Sequence, residues 1–478
     1  MNRKTLTIIA AAGALVAAAI ILGTGAHTGG KSVTATPTGI PPRAMCGKAT
    51  PAKASADFGP GTMTASLSST RVLQGGDGEI FLVVDLSARD AVAGTRAPMN
   101  VAIVIDRSGS MQGEKLARAR EAAHGLVARL SGVDRVALIQ YDDSAQVLVP
   151  ATAADDVGKS RLYAAIDSIS DGGSTNLHDG LVLGRDQVLG GLAPGRVNRV
   201  ILLSDGQANV GVTDTASLAR VASDASEKGV RISTIGLGVD YNEDLMEALG
   251  REGRGQYYYV RDASGLETVF AGELRALQST VATAAELRLE PACDGTRVLD
   301  VYGHTFRRDG NAVVVALADL SGGDQRKVVV RLQVPALRVG AEAAVVATLS
   351  FAPAAGGDRR QVATAVGVEV SADVAVVDHS VDAPTLAKVE QVQTATSVRK
   401  AAEAYDRGDQ QGALQIISNQ RAQSQAHASK YGMSAGAMAP TMDTLGQAES
   451  GMAAAPAATP AGMDAKKGAK AAARVLEQ

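Results

Sequence analysis

The sequence predicts an α/β fold: a doubly wound, mostly parallel sheet inserted in a β-sandwich domain, with a C-terminal helical hairpin after it. Three observations point there. From residue 100, near-continuous apolar runs alternate with amphipathic helical stretches, the pattern of buried parallel strands and crossover helices. Short β-type segments broken by Gly and Asp flank that region on both sides, and a helical period returns near residue 385. The aromatic content is low, with no Trp, 5 Phe and 9 Tyr, so the core must be built from Val, Ile, Leu and Ala, which suit parallel sheets. Few rings are left for stacking sugars or bases.

The 478 residues correspond to two to four units at about 150 residues per domain. Hydrophobic residues at 46% and charged residues at 20% are near the globular average, so most of the chain should fold. The net charge of −3 carries no basic excess for counterion-release binding, which excludes nucleic acid as a partner class.

In chain order, Arg3 and Lys4 precede an uncharged Ile/Ala/Leu/Val/Gly run, so residues 1–26 read as a signal peptide or a membrane anchor. The run exceeds the usual ~7–15-residue signal core and approaches the ~20 residues that span a bilayer, so cleavage and anchoring both stay open. Either way, the rest of the chain is expected to be extracytoplasmic: periplasmic, cell-surface or secreted. Residues 27–58, rich in Gly, Thr, Pro, Ala and Lys, are expected to be a disordered linker. The octet from Gly25 to Ser32 spells G-x4-G-K-S, but a signal-like run precedes it and Pro37, Pro41 and Pro42 come after it. A phosphate loop needs a strand before and a helix after, so nucleotide binding is rejected.

Strand-like runs at 62–68 and 79–86 are separated by a Gly75-Gly76-Asp77-Gly78 turn signal. Buried strands are expected at 101–105, 135–141, 199–203, 230–237 and 256–260. Helices are expected at 114–130, 161–169, 177–189, 215–228, 243–249 and 265–280; in the first, Leu116, Ala119, Ala123, Leu126, Val127 and Leu130 share one face. After residue 283 short strands return, at 287–289, 297–302, 312–316, 327–334, 343–351, 361–370 and 374–377. They need partners, so residues 59–97 and 283–380 are expected to form one discontinuous β-sandwich around an α/β unit at 98–282. Residues 384–430 read as a helical hairpin; one tetratricopeptide-like turn is too few for a solenoid. Arg407-Gly408-Asp409 falls in its turn and is read as structure rather than as an adhesion tripeptide. Residues 431–478, rich in Ala, Gly, Met, Pro and Ser, are expected to be a disordered tail.

Chemistry concentrates where the strand 101–105 ends. Asp106-Arg107-Ser108-Gly109-Ser110 delivers one carboxylate and two hydroxyls within five residues, at the carboxyl end of a parallel strand where open α/β sheets bind ligands. All are hard oxygen donors of the kind Mg²⁺ takes, with Gly109 expected to let the loop turn sharply. One loop cannot complete an octahedron, and further donors stand at similar loops, Gly172-Gly173-Ser174-Thr175-Asn176 and Ser204-Asp205-Gly206.

With these residues the chain resembles the von Willebrand factor A domain, whose metal-ion-dependent adhesion site is D-x-S-x-S, then a Thr on a second loop, then an Asp on a third. Asp106, Ser108, Ser110, Thr175 and Asp205 match in order. The resemblance covers about residues 98–282, and the flanks are similar to secreted or anchored bacterial proteins of that family. It implies Mg²⁺ (or Mn²⁺) held by the hydroxyls of Ser108, Ser110 and Thr175, with Asp106 and Asp205 often acting through water. It further implies one open position, filled by a carboxylate of a protein partner. Asp142, Asp143 and Asp179, on or near similar loops, are candidates for groups that support the metal ligands from behind, with solvated surface carboxylates the favoured reading for each.

A hydrolase is disfavoured. G-x-S-x-G occurs around neither Ser108, Ser110 nor Ser174, and an aspartyl-phosphate enzyme would be expected to carry a carboxylate where Ser108 stands. Of six His residues only His178 lies near the site loops, and it reads as a helix-surface residue. The expectation is a non-enzymatic, metal-dependent protein interaction or adhesion module. The alternative is a structural spacer or assembly subunit with a fold-stabilising metal. Cys46 and Cys293 are the only thiols, and an oxidising compartment permits them to pair, tethering linker to β-domain.

Overall fold

The computed structural model describes residues 45–47, 49–90, 96–193, 195–317, 319–336, 338–340, 342–354 and 356–477. The signal or anchor segment 1–26, the Gly25–Ser32 octet and the linker up to residue 44 lie outside the described residues. The chain runs through β1 (Lys53–Asp57), β2 (Gly61–Leu67), β3 (Arg71–Leu73), β4 (Glu79–Ala88), β5 (Met99–Asp106), α1 (Glu114–Ala128), β6 (Arg135–Tyr141), β7 (Ala145–Ala153), α2 (Asp156–Asp167) and α3 (Leu177–Leu189). Next come β8 (Val197–Ser204), α4 (Thr215–Glu227), β9 (Arg231–Leu237), α5 (Glu243–Glu252), β10 (Arg254–Val260), α6 (Leu266–Gln278), β11 (Thr280–Pro291), β12 (Arg297–Tyr302), β13 (Phe306–Asp309) and β14 (Ala312–Ala316). The last elements are β15 (Leu320–Ser321), β16 (Gln325–Gln333), β17 (Glu342–Pro353), β18 (Arg360–Ser371), α7 (Val374–His379), α8 (Ala383–Asp406), α9 (Gln410–Tyr431), α10 (Ala435–Ala454) and α11 (Pro460–Glu477).

The central sheet has the order β10-β9-β8-β5-β6-β7. It is parallel except for β7, which returns antiparallel to β6. Its strands read as unbroken apolar runs because both faces are covered: β5 and β9 are buried at every position. One face packs against Leu116, Leu126, Leu162 and Phe270 of α1, α2 and α6. The other packs against Leu181, Leu218 and Leu249 of α3, α4 and α5. This is the doubly wound sheet expected from sequence, and it puts the carboxyl ends of β5, β6, β8 and β9 on one rim.

The flanking strands share sheets across the central unit. One sheet has the order β1-β2-β4-β16-β12, with β4 antiparallel to β16 over Glu79–Ser87 and Gln325–Gln333. The other runs β13-β14-β11-β17-β18-β3, with β15 on β11, and β3 pairs parallel to β18. Met63, Leu82 and Leu86 from the first meet Leu287, Leu349 and Phe351 from the second in one core. A disulfide joins Cys46 to Cys293, with Cα atoms 5.0 Å apart.

Several details depart from the sequence reading, and β3, β7, β13 and β15 are strands it does not anticipate. Residues 53–57, expected as linker, are strand β1, because Ala54 and Ala56 alternate into the core and the strand pairs with β2. Residues 374–377, expected as a strand, are helix α7, whose start is capped by Asp373 accepting from the Ala375 and Val376 amides at 2.9 and 3.2 Å. The hairpin α8–α9 is half of a four-helix cluster. The expected disordered tail supplies the other half as α10 and α11, where Leu445, Ala448, Met452, Ala469, Ala473 and Leu476 pack on Ala395, Val398, Ala402 and Tyr405 of α8. Small residues let these helices approach closely, so a composition that looks low in complexity still buries a face. Arg407-Gly408-Asp409 forms the α8–α9 turn, where Asp409 caps α9.

Outward-facing Val83 and Val329 are buried because Leu386, Val389 and Val392 of α8 cover that sheet face. α11 also reaches the central unit. Lys467 Nζ donates to the Val239 carbonyl at 2.8 Å, Tyr259 donates to Asp464 at 2.9 Å, and Lys470 pairs with Asp244 at 2.7 Å.

Candidate functional site

The end of β5 presents Asp106, which is fully buried. Its Oδ1 accepts from the Ser108 amide at 2.9 Å and its Oδ2 from the Ser204 hydroxyl at 2.8 Å. Burial pushes this carboxyl up to about 6 against those hydrogen bonds, and the neighbouring Asp205 adds to the shift. Such a carboxylate is poised to gain from an added cation. Tyr141, beneath it, is held well above its ordinary value by burial and by Asp106.

The other expected residues converge on the same spot. Ser108 Oγ lies 3.2 Å from Ser110 Oγ, and Ser110 donates to Asp205 Oδ1 at 2.7 Å. Thr175 is fixed from two sides by Asn209, whose side-chain oxygen accepts from the Thr175 amide at 2.8 Å while its own amide donates to the Thr175 carbonyl at 3.1 Å. The hydroxyls of Ser110 and Thr175 meet over Gly206, where an added Cβ would stand 3.4 Å from each. Two carboxylates and three hydroxyls thus line one cradle at the strand ends.

The donor set fits a small hard cation. Every group is an oxygen, which favours Mg²⁺ or Mn²⁺ over Zn²⁺, and the strongest donors are only two carboxylates, which leaves room for water or an external ligand. Among the described residues no group of three or more His, Cys, Asp or Glu is placed for a metal, so hydroxyls are integral to any site here.

Sequence reasoning missed Lys115. In the first turn of α1, its ammonium donates to Asp205 Oδ2 at 2.5 Å, neutralising one of the two carboxylates. Helical side chains tilt toward the N-terminus, and that direction was the available signal. The turn that brings α1 over the strand ends is made at Gly113, whose φ is +81°, rather than at Gly109. Gly109 instead donates its amide to the Gly173 carbonyl at 2.9 Å, joining the first and second loops.

Asp142, expected to be solvated, is 6% exposed. It pairs with Arg107, and its carbonyl accepts from the Asn176 amide at 2.6 Å, so it positions the loop carrying Thr175. Asp143 and Asp179 are exposed as expected; Asp143 accepts from the Ser174 amide at 2.9 Å and Asp179 from Asn176 Nδ2 at 2.8 Å. His178 points at Asp179, 2.9 Å away, rather than at the cradle.

Comparison with known proteins bears on the family and the fold. The sequence model of the von Willebrand factor type A domain matches residues 100–272. The uncharacterized Escherichia coli protein YfbK is 33% identical over 212 residues, which cover 44% of this chain and 36% of that protein. The uncharacterized Synechocystis protein sll0103 is 27% identical over 340 residues, covering 67% of this chain and 77% of that one. The chain therefore spans only about a third of the Escherichia coli relative it matches. Among solved structures, a von Willebrand factor type A protein from Catenulispora acidiphila superposes with a TM-score of 0.65 at 18% identity, covering 80% of this chain and 88% of the other, which is a likeness of fold. Domains of this type commonly mediate protein–protein interaction.

Proposed function

We propose that the von Willebrand factor type A domain formed by residues 100–272 makes this chain a metal-dependent protein-binding module working outside the cytoplasm. Asp106, Ser108, Ser110, Thr175 and Asp205 would hold Mg²⁺ or Mn²⁺, and an acidic side chain of a partner protein would complete its shell. The ion would supply an electrophilic point for an external carboxylate, and the residues of this chain would position it. The observation that carries the reading is the convergence of Ser110 and Thr175 hydroxyls over Gly206, beside the Ser110–Asp205 hydrogen bond. Weakly coordinating hydroxyls leave a bound ion more attractive to an anionic oxygen than a ring of carboxylates would.

The extracytoplasmic location rests on the N-terminal apolar run and on the Cys46–Cys293 bond, which an oxidising compartment favours. The reading is of binding rather than catalysis, in keeping with a sequence in which neither Ser108, Ser110 nor Ser174 stands in a G-x-S-x-G elbow. Fluorescence anisotropy of a labelled Asp/Glu-rich peptide against the full chain tests it. Binding that needs Mg²⁺, is abolished by chelator and is lost in Thr175→Ala is expected. Peptide binding indifferent to chelator would overturn the reading.

A further inference from the structure

A second candidate site lies away from the strand-end cradle. A cavity of about 640 Å³ opens where β10, the sandwich loops and α11 meet, with Arg254, Tyr257, His304, Asp319, Arg399 and Arg474 among its walls. That volume is in the range of small-molecule pockets. β10 is the edge strand of the central sheet, and its residues Arg254–Tyr259 are only half-buried, so this edge faces the cavity rather than another strand.

The charges around it are unevenly matched. All five wall carboxylates are engaged. Glu273 accepts from Ser233 and Tyr258, each at 2.6 Å; Asp319 accepts from Arg231 at 3.4 Å and from the Ala284 amide at 3.1 Å. Asp324 pairs with Arg326 at 2.9 Å, while Glu477 and Glu247 both face Arg399. Arg199 sits between Glu273 and Asp319, Arg251 pairs with Glu252, and Lys327 donates to Gln391. Two guanidinium groups are left over. Among the described residues neither Arg254 nor Arg474 has a carboxylate at ion-pair distance, and Arg474 keeps a buried Nη1 without a hydrogen-bond partner. Burial disfavours the charged form of both, with Arg231 adding to the effect at Arg254 and Arg399 at Arg474.

The backbone points the same way. Arg254 has φ +50° between Gly253 and Gly255, a left-handed conformation unfavourable for a non-glycine residue. Ala284 is the other described non-glycine residue with positive φ, and it is the residue whose amide holds Asp319 on the opposite wall. The Arg474 guanidinium lies over the Tyr257 ring, 5.4 Å from its centroid, which fixes its plane.

We propose that this cavity binds a small molecule bearing a carboxylate or phosphate group, with Arg254 and Arg474 holding its anionic oxygens and Tyr257 forming the floor. Guanidinium forks match both groups, so the two share one recognition chemistry. The test is calorimetry on the full chain, without divalent cation and at constant ionic strength, using inorganic phosphate and succinate as separate probes. One of them is expected to bind with a Kd below about 1 mM, its identity telling phosphate from carboxylate, and to weaken at least about ten-fold in Arg254→Gln/Arg474→Gln. Ala471→Trp, which fills the cavity from α11 and leaves both arginines in place, is expected to block the same binding. Absence of saturable binding by either probe to the parent would overturn the proposal, as would unchanged affinity in Ala471→Trp.

Discussion

Lys467 offers a quantitative check on how α11 docks, and Lys467→Met is the perturbation. Its side chain is 2% exposed, and its ammonium donates to the carbonyls of Val239 and Tyr241 at 2.8 and 3.4 Å. It lies 3.6 Å from the centroid of the Tyr241 ring. Burial brings this amine down from 10.5 to about 8; Glu243 and Asp240 oppose the shift, and Lys466 and Lys470 reinforce it. The folded protein therefore releases the proton at lower pH than the unfolded chain does. Between pH 8 and 10.5 the unfolded state binds more protons, so stability rises with pH through that window. The values correspond to about 2 kcal/mol of added stability between roughly pH 7 and 9.5. The variant has no such proton. Urea unfolding of parent and variant at several pH values gives a difference in which titrations common to both cancel. The stability of Lys467→Met relative to the parent should fall by about 2 kcal/mol across that range. A difference that stays flat with pH would refute the burial of a charged amine under α11.

Three further outcomes are expected from the contacts. Glu273→Gln removes the buried charge that Arg199 faces at 3.5 Å and should lower unfolding free energy by about 3 kcal/mol, read by denaturant titration. Cys46→Ser opens a bond that closes a 247-residue separation and should cost about 3 kcal/mol; the parent under reducing conditions should melt like the variant. Lys115→Ala leaves Asp205 without its ammonium, so metal-free stability should fall by about 2 kcal/mol, and the rise in Tm caused by Mg²⁺ should exceed that of the parent. An equal Mg²⁺ response in both proteins would contradict the competition between Lys115 and the ion for Asp205.

The central sheet was readable because its strands are covered on both faces and so appear as unbroken apolar runs. Asp106, Ser108 and Ser110 were readable because they share one loop between such a strand and an amphipathic helix. Lys115 was not, because its role depends on the direction of a helical side chain, which spacing alone does not report. The run at 374–377 is too short for its period to tell strand from helix, and the deciding group, Asp373, lies just outside it. The tail misled for a different reason. Its helices bury mostly Ala and Met, with a single Leu each in Leu445 and Leu476, and α10 carries Pro440, so neither apolar contrast nor helix propensity stood out. Docking is also a tertiary matter: Lys467 and Arg474 find their places only against loops and strands of the central unit some 200 residues earlier.

The most direct test of the metal-dependent reading is Mg²⁺ and Mn²⁺ titration calorimetry on the full chain beside Asp106→Ala. Saturable binding by the parent at one site, absent from the variant while its fold is retained, is the expected result. Equal binding by both proteins, or none by the parent, would contradict the assignment of the strand-end cradle as a cation site.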